Sequence, residues 1–142
     1  MTPSSKTRVL FVCIGNSCRS QMAEGFARKY GSDVLIPASA GLAPAMIIAP
    51  DTVRAMDEKN IDLRDHFPKT IKQLGRAQFV LVINMSGFDL PADLTTPVRE
   101  WDVPDPISET YQTHCLIRDE IESLVMGLIL ELRRAVAPRK GV

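Results

Sequence analysis

An α/β domain built on a mostly parallel sheet is the fold class that the sequence predicts, on three observations. Stretches of strand and helix character alternate along the chain with short links. Phe79 to Ile83 is a continuous apolar run, the kind of strand buried on both faces of a parallel sheet. Ile117, Ile121, Leu124, Val125, Leu128 and Leu132 recur at helical spacing and give one apolar stripe that would pack on that sheet. Right-handed crossovers are expected between parallel neighbours.

The first strand is expected over Arg8 to Val12, a β-rich apolar run that gives way to the polar stretch Cys13 to Cys18. Ser20 opens a helical pattern through Met22, Phe26 and Tyr30, with Gly31 placed just past the helix end. Val34 to Ala38 reads as a second strand, interrupted near its end by Pro37, and Ser39-Ala40-Gly41 begins a loop. Pro50 suits the first turn of a helix that carries Val53 and Met56 and reaches Asn60. Phe79 to Ile83 is the third strand and Val98 to Trp101 a shorter fourth. The prolines of Asp102-Val103-Pro104-Asp105-Pro106 then exclude helix and predict a rigid loop. The last helix starts near Tyr111 and is ended by Pro138.

The chain has 142 residues, 45% hydrophobic and 24% charged. One core typically serves ~50 to ~200 residues, so 1–142 reads as a single domain, with flexible ends expected at 1–7 and 139–142. Seventeen basic residues cancel seventeen acidic ones. That balance gives no general footprint for nucleic acid, and any basic site must be local. The apolar run Leu124 to Leu130 is far shorter than the ~20 residues that a membrane-spanning helix needs, so no membrane partner is expected. With no signal-peptide pattern, a cytoplasmic location is expected. Cys13, Cys18 and Cys115 are too few, and odd in number, for a disulfide scaffold; they read as reduced thiols.

Two of those thiols sit in Cys13-Ile14-Gly15-Asn16-Ser17-Cys18-Arg19-Ser20, between a strand and a helix N-terminus. Backbone N–H groups of Ile14, Gly15, Asn16, Ser17, Cys18, Arg19 and Ser20 can converge there on an oxyanion, which the helix dipole also favours. Gly15 is expected to permit the tight backbone path and Asn16 to hold the loop in shape. Arg19 can grip two oxygens at once, which the single ammonium of lysine cannot. The same field favours the thiolate of Cys13, the form that attacks. Ser20 can donate to its sulfur and help it leave in a later step. A thiolate has no proton to give a leaving oxygen, so a carboxylic acid is needed: Asp105, with Asp102 in reserve. Asp105 also reads as an ordinary turn former.

Cys-x5-Arg-Ser after the first strand, Ser39-Ala40-Gly41 after the second and the late Asp105-Pro106 resemble the low-molecular-weight protein tyrosine phosphatase superfamily over nearly the whole chain. Ser17 to Gly25 (SCRSQMAEG) is similar to its arsenate reductase branch. The resemblance implies a three-layer, four-stranded parallel sheet flanked by helices, a nucleophile at Cys13, anion binding through Arg19, a general acid at Asp105, and no metal or other cofactor. Ile107-Ser108 and Ala43-Pro44-Ala45-Met46 stand where phosphotyrosine phosphatases carry aromatic residues. Asn84 to Leu94 lacks the two resolving cysteines of thioredoxin-coupled reductases, so reduction would need an external thiol.

Three functions are therefore open. In the leading one Cys13 attacks the phosphorus of a phosphate ester, such as a phosphoprotein; Asp105 protonates the leaving oxygen and then activates water against the thiophosphoryl intermediate. In the second Cys13 attacks arsenate, and a glutaredoxin, small thiol or thioredoxin completes the reduction. In the third the loop binds oxyanions or senses oxidants without turnover, with Cys13 and Cys18 as a reversible pair. Cys18 equally fits a small buried thiol, and Cys115 a structural one. A zinc site from Cys13, Cys18, His114 and Cys115 has poor ligand spacing. His66 reads as a loop residue and Trp101 as core; Met46, Ile47 and Ile48 either rim the site or pack.

Overall fold

Seven residues of unbroken β character, Thr7–Cys13, form the strand β1 around which the other elements are laid. The computed structural model describes residues 6–75 and 78–136. In chain order there follow α1 (Arg19–Gly31), β2 (Leu35–Gly41), α2 (Pro50–Asp57), a 3₁₀ turn at Lys72–Leu74, β3 (Leu81–Asn84), β4 (Val98–Glu100) and α3 (Tyr111–Val136). The strands form one four-stranded sheet in the order β2-β1-β3-β4, and every pair is parallel. Chain direction across the sheet reverses between β1 and β3, the place where open parallel sheets bind ligands beyond the strand carboxyl ends.

Alternation along β1 divides the core. Val9, Phe11 and Cys13 face one side with Leu81 and Ile83 of β3. They pack there with Met22, Ala23 and Phe26 of α1, Met56 of α2, and Ile117, Ile121, Val125 and Ile129 of α3. Full burial of each large apolar side chain contributes ~1.5–3 kcal/mol, and Phe11, Phe26, Ile121 and Ile129 are among the largest of them. Leu10, Val12, Ala40 and Val82 face the other side. Among the described residues no α-helix residue belongs to that second cluster; Ile71, Leu74, Phe79, Leu90 and Leu94 cover it instead, from the 3₁₀ turn and the loops. The third layer is thus built mainly of loop.

Several element boundaries differ from the expected ones. β2 continues through Pro37 and takes in Ser39-Ala40-Gly41, because it is an edge strand paired only with β1, where a missing N–H costs no ladder bond. β3 begins two residues later than expected: Phe79 tucks under the second face and Val80 is exposed. α2 stops at Asp57 rather than Asn60, which adopts a left-handed φ of 60°, while Ile61 N–H donates to Met56 O. β4 ends at Glu100, one residue before Trp101.

Gly31 is the last residue of α1, not the residue past its end, and has no positive φ. A Cβ there would lie 2.6 Å from Ile129 Cγ1, so glycine lets α1 and α3 close on each other. Of the expected flexible ends, 1–5 and 139–142 lie outside the described residues, as does Pro138; Thr7 pairs with Leu35 in β1. Among the described residues no helix is long and apolar enough to cross a membrane.

Candidate active site

The loop from Cys13 to Arg19 leaves the carboxyl end of β1 and enters α1 with no side-chain cap and no acidic residue in the first turn. Orphan N–H groups at such a helix start are open to an anion. The loop carbonyls are turned away by a collar of residues after β2. Leu42, Ala43, Ala45 and Ala49 donate backbone N–H bonds to the carbonyls of Cys13, Ile14, Gly15 and Ser17 (3.1, 2.8, 2.9 and 3.2 Å). The Ser17 hydroxyl adds a bond to Ile47 O and accepts one from Ala49 N–H. With its carbonyls held outward, the loop presents N–H groups to its concave side.

Gly41 makes this collar fit. A Cβ on it would stand 2.7 Å from Ile14 O and 2.8 Å from Asn16 N, both backbone atoms that cannot swing away. Gly15 has the lesser part: its φ is not positive, and a Cβ there would meet only ordinary van der Waals contacts. The left-handed residue of the loop is Asn16, with a φ of 50°, so the tight path expected of Gly15 is taken by its neighbour.

Cys13 Sγ is buried and 2.9 Å from Ser20 Oγ. Asn16 Nδ2 donates to the same oxygen at 2.7 Å, which leaves the Ser20 proton free to point at the sulfur. Arg19 is 4% exposed. Its Nη1 donates to Met85 O and to Val103 O (2.9 Å), bonds that tie it to the chain just after β3 and β4. Its Nη2 is 3.4 Å from Asp105 Oδ2, and its Nε is buried without a partner. The Nε–Nη2 edge therefore remains for a bidentate grip.

A cavity of about 180 Å³ brings together Cys13, Cys18, Arg19 and Asp105 with Ala45 and Ile107. The Asp105 carboxylate does two things at once: Oδ1 accepts the Ile107 N–H at 3.1 Å and shapes the turn, while Oδ2 faces Arg19. Asp102 lies instead on a second cavity behind Arg19, with Glu100 and Trp101, and does not line the Cys13 pocket. Trp101 is half-buried against Phe11, with ring centroids 6.0 Å apart.

Cys18 is 4% exposed, and burial pushes its thiol up from the usual range, against the smaller opposing effect of the Thr52 hydroxyl. Cys115 is half-buried on α3 and His114 is buried beside it, both outside the pocket. Among the described residues no group of three or more His, Cys, Asp and Glu side chains is placed to hold a metal, so the zinc set is not assembled. Met46 and Ile47 are exposed and Ile48 is buried, so the rim and the packing readings each hold for part of that segment. Sequence reasoning missed the collar after β2, the carbonyls of Met85 and Val103, and His66, whose Nδ1 is 3.0 Å from Gln21 Oε1. Of these only the collar left a signal in the sequence, the Ser39-Ala40-Gly41 triplet that leads into it.

Residues 8–96 match the family model described as low molecular weight phosphotyrosine protein phosphatase. The chain is 30% identical over 129 residues to a glutaredoxin arsenate reductase of Synechocystis sp., covering 88% of this chain and 98% of that one. It is 38% identical over 127 residues to an arsenate reductase of Shouchella clausii, covering 82% and 91%. Among solved structures, an arsenate reductase in the phosphate binding state superposes with a TM-score of 0.81 at 30% identity, covering 89% of this chain and 98% of that one.

Proposed function

The chain belongs to the low molecular weight phosphotyrosine protein phosphatase family, and from that premise we propose that it is an arsenate reductase that draws its electrons from an external thiol. The observation that carries this reading is likeness along the chain: relatives named arsenate reductase match at 30% to 38% identity over four fifths or more of it. This reverses the order in which the sequence alone ranked hydrolysis and reduction. The pocket agrees with the change. Ala45 and Ile107, both exposed, line it where an aryl ester would need aromatic walls, so it suits a bare tetrahedral oxyanion.

In the first step Cys13 Sγ attacks arsenic, an As–O bond breaks, and Asp105 gives a proton to the departing oxygen, which leaves as water. The loop N–H groups and the free edge of Arg19 hold the remaining oxygens. In the second step an external thiolate attacks Cys13 Sγ. An S–S bond forms, the electron pair of the S–As bond goes to arsenic, and arsenite departs. A second external thiol then reduces the mixed disulfide and returns Cys13. Two thiols are oxidised for each arsenate reduced, which balances the two electrons that arsenic gains. Ser20 steadies the sulfur as attacker and as leaving group.

The chain carries three cysteines and none between Asn84 and Leu94, and Cys18 is buried with its thiol protonated more firmly than usual. Those facts favour an outside reductant over an internal relay, as does the name of the glutaredoxin-coupled relative. Hydrolysis of phosphate esters is the second reading, favoured by the family's own description and by the same loop. Side-by-side assays separate them: arsenate with glutathione plus glutaredoxin, or with thioredoxin, against an aryl phosphate without thiols. Thiol-dependent arsenite release supports reduction; thiol-independent release of phosphate at a comparable rate overturns it.

A further inference from the structure

We propose that Tyr111, the first residue of α3, is a positioning residue for Asp105. The inference rests on Asp105 being the proton donor of the proposed reaction and is the same for either oxyanion. Asp105 belongs to a segment that hangs between two ends. Among the described residues, 104–110 make no hydrogen bond outside themselves and α3, and their one ion pair elsewhere is that of Asp105 with Arg19.

Inside the segment the turns are local. Ile107 N–H donates to Asp105 Oδ1 at 3.1 Å, Glu109 N–H to Pro106 O at 2.9 Å, and Thr113 N–H to Thr110 Oγ1 at 3.1 Å. Ser108 is left-handed, with a φ of 66°, a conformation that a serine keeps where its surroundings impose it. Five residues of such turn separate Asp105 from Tyr111, so the place of the carboxyl follows the place of the first turn of α3.

The near end of the segment is Val103, whose carbonyl accepts from Arg19 Nη1 at 2.9 Å. The far end is Tyr111. The Arg54 guanidinium lies over its ring, 3.7 Å from the centroid, and its hydroxyl donates to Glu58 Oε2. Arg54 belongs to α2 and Glu58 stands just past its end. The acceptor is itself fixed, because the buried Arg118 donates to Glu58 Oε1 at 3.0 Å and to Ala55 O at 2.9 Å. The Tyr111 hydroxyl, and after it Arg118, hold the Glu58 carboxyl below the usual carboxylate range. Burial, and after it Glu58, push the Tyr111 phenol above its own, so donor and acceptor keep these roles through neutral pH.

The start of α2 is joined to the anion loop, since Ala49 N–H donates to Ser17 O and Oγ (3.2 and 2.8 Å). A bracket therefore runs from the anion loop through α2 and Tyr111 to Asp105. Arg19 is the weaker tie: its Nη2 is 3.4 Å from Asp105 Oδ2, on a side chain 35% exposed. In the proposed reaction the oxyanion shares that edge of the guanidinium, and the acid then depends on its far anchor.

The test is kcat/KM for arsenate at saturating glutathione and glutaredoxin, beside the Kd of inorganic phosphate and the melting temperature. It is read for Tyr111→Ala and Tyr111→Phe, each alone and together with Asp105→Asn. Tyr111→Ala is expected to lower kcat/KM about tenfold with the phosphate Kd unchanged, as for an acid displaced by a fraction of an ångström. Tyr111→Phe keeps the ring beneath Arg54 and loses the hydroxyl, and is expected to lower it about threefold. With Asp105→Asn neither change slows the protein further, since no acidic proton is left to misplace. Should Tyr111→Ala fail to fold, Tyr111→Phe carries the comparison alone. Wild-type rate in the Tyr111 variants, an equal loss with and without Asp105→Asn, or a phosphate Kd that weakens in step with the rate would overturn the inference. Wild-type protein that does not turn over arsenate would overturn the reductase reading instead, and the same variants are then read on phenyl phosphate, whose leaving oxygen needs the same proton. Asp105→Asn alone at wild-type rate would overturn the acid and this inference with it.

Discussion

Arg19 Nη2 lies 3.4 Å from Asp105 Oδ2, which joins the start of α1 to the loop after β4 in the pocket that both residues line. The other guanidinium nitrogen, Nη1, is already held by the carbonyls of Met85 and Val103. Three segments at the carboxyl ends of β1, β3 and β4 are thus gathered on one buried cation. In the proposed reaction an oxyanion on the Nε–Nη2 edge of Arg19 would share that cation with Asp105, which would bring the carboxyl within reach of a substrate oxygen.

Replacing Arg19 with Lys keeps the charge and removes the geometry. One ammonium cannot serve two backbone carbonyls and two anion oxygens together. Turnover is expected to fall on the order of 10²- to 10³-fold, as when a single oxyanion donor is lost, with phosphate binding weakened in parallel. Equilibrium binding of inorganic phosphate beside steady-state rates checks this, and near wild-type values in both would remove the clamp from the account.

Asp105→Asn tests the proton donor. The amide can keep the turn bond to Ile107 N–H through its oxygen but has no acidic proton. Formation of the Cys13 adduct is expected to slow by ~10²- to 10⁴-fold, the usual worth of a general acid, while phosphate binding persists. Loss of binding without a matching loss of rate would instead make Asp105 a residue of the turn.

Gly41→Ala separates fold from site. Its Cβ would press on Ile14 O and Asn16 N and displace the anion loop, whereas the sheet beneath needs no glycine. A cooperative melt is expected to survive while activity drops on the order of 10²-fold, the cost of misplacing reacting groups by about 1 Å. Full activity in this variant would mean that the collar does not shape the loop.

Gly31→Ala has the opposite signature. Its Cβ would meet Ile129 Cγ1 at 2.6 Å, an overpacking that costs ~1–3 kcal/mol, against a helix-propensity gain of up to ~1 kcal/mol. The melting temperature is expected to fall with activity per folded molecule intact, and Ile129→Val in the same chain to recover part of the loss. A melting temperature at or above wild type would show that α1 and α3 do not touch there as described.

Oxidation gives a pH-dependent outcome. Peroxide is expected to convert Cys13 to a sulfenic acid, and Cys18, which lines the same pocket, is the thiol expected to condense with it. Burial raises the Cys18 pKa, so its attacking thiolate is scarce at neutral pH and grows as pH climbs past the usual thiol range. Bridge formation is therefore expected to be slow near neutrality and to accelerate with alkali, as read by peptide mapping before and after dithiothreitol. A rate that does not rise with pH would leave Cys18 a packing residue.

Much of the fold was legible because strand and helix signals were local and strong, as in Phe79 to Ile83 and the stripe on α3. Their ends were not. Phe79 and Val80 are as apolar as the strand they precede, and only tertiary packing decides that one tucks under the sheet and the other faces water. Pro37 marked a break because the sequence does not say which strand is an edge. That Cys13, Arg19 and Asp105 come to one place was legible from their position after strands, and one cavity brings the three together. The Met85 and Val103 carbonyls were not, since backbone atoms carry no sequence mark. Nor was His66, whose bond to Gln21 joins residues forty-five apart in the chain.

The most direct measurement is a single turnover with arsenate and glutathione, without glutaredoxin, reading released arsenite and the adduct on each of the three cysteines. The account expects about one arsenite per protein molecule and a glutathione disulfide on Cys13, both absent in Cys13→Ser, as two-step thiol chemistry requires. Arsenite release from the Cys13→Ser variant, or wild-type protein that releases none while hydrolysing an aryl phosphate without thiols, would contradict it.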